Sequence, residues 1–222
     1  AATEATTAPT QAPATEATEA PTETTEAPTE PPVVYRNPLN GEVLDEPYTG
    51  RIFAVTISNI RDALPHYGTM EADILMEMWV NGSIIRDLAL YTDVSKAEAI
   101  GSVRSDRLMF NQIVKMYDAV LADAAGSDQV LNDARNTGVN RMTIDTGDAT
   151  DYSYRAKDRV FTFKPESKYE HTLFAKGAGL LDFAQKKGFS VTQPADKDYN
   201  LHFTEDGTPE GETANSVNVT FT

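Results

Sequence analysis

Apolar residues first gather at Arg51–Asn59, where Ile52, Phe53, Val55 and Ile57 lie close enough together to predict a buried strand. Two further apolar runs, Asp73–Val80 and Ser83–Tyr91, flank Asn81-Gly82, a dipeptide that accepts the positive φ angles of a two-residue hairpin loop. With that loop, opposed positions sum to 163, so Val80 faces Ser83, Met78 faces Ile85, Glu77 faces Arg86 and Met76 faces Asp87. One face of the hairpin then carries Leu75, Glu77, Trp79, Ile84, Arg86 and Leu88, and the other Ile74, Met76, Met78, Ile85 and Ala89. Both faces are mostly apolar, which predicts cover on both sides and therefore three layers.

Beyond the hairpin, Ala99–Arg104 reads as a short strand entering a helix at about Asp106–Tyr117. Ala119–Asp123 is a further strand, Ser127–Thr137 a helix stopped by Gly138, and Arg141–Asp145 another strand. A long polar stretch follows, with a strand expected at Val160–Phe163 and a helix at His171–Lys187, ended by Gly188. Strands alternating with helices around one hairpin predict an α/β fold with a mixed β-sheet and helices on both faces. The last apolar segment, Val217–Phe221, reads as a strand with nothing after it to pair with. The expected organisation is thus a 1–34 stalk, a 35–188 α/β domain, and a 189–222 linker with the first strand of a truncated second domain.

Composition changes the picture most at the N-terminus. Residues 1–32 comprise 9 Ala, 10 Thr, 6 Glu, 6 Pro and 1 Gln. Nothing there buries enough apolar area to offset chain entropy of about 1–2 kcal/mol per residue, so a disordered, extended stalk is expected. Thr/Pro-rich stalks are typical of secreted or wall-associated proteins. No signal peptide is present, and a lipid-bearing cysteine just before Ala1 is compatible with this start. The net charge of −15, or −9 for the 28 acids and 19 bases after the stalk, argues against a nucleic-acid binder. No apolar run approaches the length of a membrane-spanning helix. Zero cysteines and three histidines leave no metal centre or cofactor motif to propose.

Candidate chemistry concentrates at Val103-Arg104-Ser105-Asp106-Arg107, which joins a strand to a helix. Ser105 is a natural N-cap, and Asp106 suits the positive end of the helix dipole. Arg104 and Arg107 oppose that dipole, and an anion held between helix N–H groups and two guanidinium forks would compensate them. The competing reading pairs both with the chain's many carboxylates. Glu77 opposite Arg86 is a second constellation, either a structural lock or the lining of a polar cleft. Asp123 ends a strand where ligands of open α/β sheets usually bind, and Gly126-Ser127 opens the next helix, although both are also ordinary turn and cap residues. His171, near a helix start, is a further candidate, although it and His66, in a loop, read more readily as exposed spectators.

On these residues the chain resembles the YerB-type family of Gram-positive surface lipoproteins, whose domain has no known function. The matching motifs are Asn37-Pro38-Leu39-Asn40-Gly41, Ala72-Asp73-Ile74-Leu75-Met76-Glu77 and Gly82-Ser83-Ile84-Ile85-Arg86. The most specific is Ile100-Gly101-Ser102-Val103-Arg104-Ser105-Asp106-Arg107, close to the family's Ile-Gly-Pro-Val-Arg-Ser-Ala-Arg. Tyr117-Asp118-Ala119, Gly126-Ser127 and Glu170-His171-Thr172-Leu173-Phe174 also fit. The resemblance runs from about residue 37 to 185, with Ala214–Thr222 at the start of the family's second domain. Two departures are Ser102, in place of a Pro, and Asp123, where the family commonly has His.

The resemblance implies an extracytoplasmic, lipid-anchored domain on the outer face of the cytoplasmic membrane, and no established reaction. The preferred expectation is a non-catalytic surface module that binds an anionic cell-wall component or a wall-synthesis protein. Its ligand-binding residues would be Arg104, Ser105 and Arg107, with Arg86, Glu77, Asp123, Ser127 and His171 around them. The alternative is an Arg-lined phosphotransferase or hydrolase acting on wall polymer, with Asp123, Glu77 or His171 as base. In a third, purely structural reading, internal salt bridges consume every arginine.

Overall fold

The computed structural model describes residues 33–166, 168–194, 197–204, 211–218 and 220. The stalk expected at 1–34 thus lies almost wholly outside the described residues.

A five-stranded mixed sheet organises the domain. Its order is β4 (Ile74–Asn81), β5 (Ile84–Tyr91), β3 (Phe53–Ser58), β7 (Val120–Asp123) and β8 (Asn140–Thr143). β4, β5 and β3 pair antiparallel, whereas β3, β7 and β8 run parallel. β3 lies at the centre, and all six of its residues are buried, as its unbroken apolar run requires. On one sheet face, Ala54, Leu88, Leu90 and Leu121 pack against Phe110, Val114 and Tyr117 from helix α1 (Leu108–Met116) and its C-cap. Helix α2 (Asp128–Thr137) lies beside α1, joined to it by Asn111 Nδ2, which donates to Val130 O at 3.1 Å and to Asp133 Oδ2 at 2.9 Å. The opposite face packs Phe53, Val55, Ala89 and Ala122 against Leu180, Phe183 and Ala184 of helix α3 (Gly177–Lys186). That side also holds a three-stranded antiparallel sheet of β6 (Ile100–Gly101), β10 (Leu173–Ala175) and β9 (Ser153–Arg155). Helices on both faces of a mixed sheet give the expected three layers. A short ribbon of β1 (Tyr35–Arg36) and β2 (Val43–Leu44) precedes the body.

The hairpin forms with a different register. Its loop is Gly82-Ser83, not Asn81-Gly82: Asn81 pairs with Ile84 and stays extended, and only Gly82 takes a positive φ, +56°. A bulge between Trp79 and Asn81 then sets the remaining pairs, so Glu77 faces Asp87 and Met78 faces Arg86. Because side chains alternate across a strand, this one-residue offset moves β5 to the other face relative to β4. Arg86 and Leu88 therefore join Ile74, Met76 and Met78, while Ala89 lies on the side of Leu75, Glu77 and Trp79. Cover is also uneven. β5 is buried over most of its length, but Leu75, Glu77 and Trp79 on the edge strand β4 are exposed.

Further expectations need correcting. Val160–Phe163 is not a strand. The helix expected from His171 begins only at Gly177, because Leu173–Ala175 is drawn into β10 between β6 and β9. α1 begins at Leu108, with Arg107 rather than Ser105 at the N-cap. Val217 and Asn218 are not in a strand, and the rest of that expected strand is mostly outside the described residues. Residues 191–194 and 197–199 fold back onto the body instead of leaving it. Arg51 N donates to Val191 O at 2.8 Å, Gln193 N to Thr49 O at 3.1 Å, and the Tyr199 ring stacks on Tyr117 with centroids 6.1 Å apart.

Candidate functional site

Segment 103–106 threads across the carboxyl ends of two adjacent parallel strands. Arg104 N donates to Thr56 O of β3 at 3.0 Å, and Thr56 Oγ1 donates to Arg104 O. Just past β7, Ala124 N donates to Arg104 O at 3.0 Å, and Asp106 N donates to Ala125 O at 2.7 Å. These bonds fix the backbone from which Arg104 and Arg107 project and deliver it to the start of α1. No side chain caps the first turn of that helix and no acidic residue lies within it, although Asp106, just before the N-cap, accepts from Arg107 N.

Arg86 reaches the same place from β5, donating through Nη1 to Ser105 O. Arg104 Nη1 donates to Glu170 O at 2.7 Å, and Arg107 Nη1 to Asp106 O at 2.6 Å. None of the three makes an ion pair with a carboxylate of the described residues. Burial first, then Arg107 and Arg104, lowers the pKa of Arg86 to about 10, while Asp106 opposes the shift. Burial and Arg104 likewise lower that of Arg107. The three guanidinium groups are therefore neighbours that repel one another. Of the three, Arg104 lines a cleft of about 180 Å³ that Ser105, Arg155, Tyr169, Glu170 and Asp145 also bound; Arg86 and Arg107 do not line it.

Behind the arginines lies a buried acid pair. Asp123, at the end of β7, accepts from Arg141 Nη2 at 2.5 Å and from Thr143 Oγ1 at 3.4 Å. Asp106 Oδ1 accepts from Arg107 N at 2.6 Å, and its Oδ2 lies 3.8 Å from Arg141 Nε. Burial pushes the Asp106 carboxyl up to about 6, against the pull of Arg141 and Arg107. Asp123 is raised well above the ordinary carboxylate range by burial, with Asp106 adding to the effect. Arg141 thus serves both reluctant carboxylates, and Arg107 is the second arginine beside Asp106.

The other candidates divide. His171 is buried, and burial followed by the nearby Arg104 lowers its pKa. Its Nε2 lies 3.2 Å from Glu170 Oε1, and neither ring nitrogen makes a hydrogen bond among the described residues. Ser127 is the N-cap of α2, accepting from Val130 N, which is a structural duty away from the arginines. Glu77 is separate as well. The hairpin offset places it opposite Asp87, and Asn59 Nδ2 donates to both carboxylates, at 2.6 and 2.9 Å. The Glu77–Arg86 constellation therefore does not exist, and the enzyme reading loses one of its three bases. Ser105 contributes its carbonyl to Arg86 rather than a helix cap. His66, expected as an exposed spectator, lies beside Ser58 O at 3.0 Å and is mostly buried.

Sequence reasoning missed Arg141, Arg155 and Arg159. Arg141 reads only as the start of a strand, whereas Arg155 and Arg159 sit in a polar stretch without periodicity that the packing of the small sheet brings near the rest. Arg155 pairs with Asp145 and lies 3.8 Å from the centre of the Tyr169 ring.

Residues 39–190, most of the domain just described, match the family described as "Protein of unknown function (DUF3048) N-terminal domain". The chain belongs to that family. It is 27% identical over 182 residues to a Bacillus subtilis (strain 168) protein named "Putative lipoprotein YerB", covering 80% of this chain and 50% of that protein. The crystal structure of the YerB protein from Bacillus subtilis superposes with a TM-score of 0.62 at 25% identity, covering 71% of this chain and 51% of that one. The chain thus spans about half the length of the relative it matches.

Proposed function

We propose that this domain is an extracytoplasmic surface module that captures a phosphate- or carboxylate-bearing component of the cell envelope at the N-terminal end of α1. The observation that carries this reading is the gathering of Arg86, Arg104 and Arg107 at the start of α1, none of them ion-paired to a carboxylate of the described residues. Like charges are costly to hold together, and a bound anion would lower that cost. The remaining surface favours selectivity, since a net charge of −9 over residues 33–222 repels anions that lack a specific site. The lipoprotein name of the relative supports a membrane-anchored location outside the cytoplasm.

Thermal-shift and calorimetric titrations with inorganic phosphate and glycerol-phosphate oligomers test this reading. The wild-type chain should gain about 2–4 °C at about tenfold excess over Kd. Arg104→Ala and Arg107→Ala should lose that gain, and affinity should weaken as ionic strength rises. Absence of any shift, with both variants indistinguishable from wild type, would remove the reading.

A further inference from the structure

A cleft of about 670 Å³ lies around the small sheet and is walled by aromatic rings. Phe174 is its floor and is buried. Tyr154 stacks on Phe174 with centroids 5.7 Å apart and planes at 25°, while Tyr67 stands against the same ring at 5.4 Å and 89°. Two tyrosine walls therefore meet at an angle over one buried phenylalanine. Both are unusually open for such large rings, with 43% of Tyr67 and 41% of Tyr154 exposed.

Arg159 lines the same cleft and is 92% buried, being 8% exposed. Its Nη1 donates to His171 O at 3.0 Å, and its Nη2 to Ala63 O at 2.8 Å and to Pro65 O. The guanidinium lies 4.5 Å from the ring centre of Phe161, 4.9 Å from Phe174 and 5.3 Å from Tyr67. Nε has no hydrogen-bond partner, and no carboxylate of the described residues pairs with the group. Carbonyl dipoles and ring faces offset part of the cost of burying this charge, but not its sign. At the rim Lys157 stands beside Asp158, and Arg155 is ion-paired to Asp145, so Arg159 is the buried lining cation without a carboxylate partner among the described residues.

We propose that this cleft binds a sugar ring carrying an anionic group, carboxylate or phosphate. An open tyrosine face accepts the apolar C–H face of a pyranose, and phenolic hydroxyls and charged rim groups serve its hydroxyls. A flat heteroaromatic ligand would be better served by two parallel rings, and a purely apolar one would leave the charged rim unpaired. The volume falls within the range of small-ligand sites and holds one or two sugar units. Arg159 supplies the anion's counter-charge from a position its backbone acceptors hold rigid. This site uses different residues from the arginine cluster at α1, so the two readings stand or fall separately.

Calorimetry on the full chain carrying Arg104→Ala, which removes the anion site proposed at α1, with trigalacturonate, glucose 6-phosphate, neutral maltotriose and inorganic phosphate tests the proposal. Trigalacturonate or glucose 6-phosphate should bind saturably, and which of the two binds tells carboxylate from phosphate recognition. Maltotriose and inorganic phosphate should each bind at least about tenfold more weakly, since each offers half of the recognised chemistry. In that background Tyr154→Ala should weaken the charged sugar about tenfold or more, and Tyr154→Phe should stay within about threefold. Near-ultraviolet circular dichroism on Tyr154→Ala guards against simple unfolding. Absence of sugar binding overturns the proposal, as does binding that Tyr154→Ala leaves intact or that inorganic phosphate matches.

Discussion

Asp106 shows how much one buried side chain decides. Its carboxyl is solvent-free, shares Arg141 with Asp123, and has its pKa raised to about 6 chiefly by burial. A folded-state pKa above the unfolded value means that the native state binds the proton more tightly. The associated stability is therefore complete below the ordinary carboxylate range and is lost as pH rises through about 6. Asp106→Asn keeps the acceptor for Arg107 N without the charge. The variant should gain on wild type by about 2 kcal/mol between pH 4 and pH 7.5, read as the difference of two urea titrations. A constant difference across that range would mean that Asp106 ionises in the fold at no cost. None of this is visible in the linear chain, where Asp106 is one of 34 acids and looks like a helix-start residue.

At the scale of elements, two glycines show different constraints. Gly82 carries a positive φ in the hairpin loop, and a Cβ there would meet nothing within 4 Å. Gly177 opens α3 where a Cβ would lie 2.1 Å from Val94 O and 2.2 Å from Ala97 O. Gly82→Ala should therefore cost about 1 kcal/mol of backbone strain alone. Gly177→Ala must displace backbone and should cost at least about 3 kcal/mol, with guanidinium denaturation midpoints checking both. The elements themselves were largely legible. The central strand, the hairpin arms, both α1 and α2, and the Ser127 and Gly138 boundaries of α2 follow from apolar spacing and capping chemistry. Register was not legible, because a bulge is a choice between two nearly equivalent turns, and Gly82 tolerates the shift that Asn81 was expected to share. β9 and β10 escaped for another reason: three-residue strands carry no measurable periodicity and exist only because β6 lies beside them.

At the scale of the whole molecule, residues 189–194 and 197–199 belong physically to the body. Tyr199 is buried at the edge of the α1 core, its hydroxyl donates to Gln193 Oε1 at 2.7 Å, and Lys197 Nζ donates to Met116 O at 2.8 Å. A chain ending at 188 should melt about 5–10 °C below one ending at 204, the equivalent of about 2–3 kcal/mol. Equal melting temperatures would make this strap a passive tail. Along the chain itself, the alternation of strand and helix, the acidic balance, the low-complexity start and the Arg104–Arg107 motif were sufficient to reach the α/β class and the family. Those properties are local: side-chain spacing and composition need no knowledge of what lies across the core. Which charges become neighbours is a different matter. Arg86, Arg104, Arg107 and Arg141 span more than fifty residues, and Tyr67, Tyr154 and Arg159 span more than ninety. Only the sheet order, the bulge and the closing of the small sheet bring each set together, because Coulomb and ring contacts act through space and are indifferent to distance along the sequence.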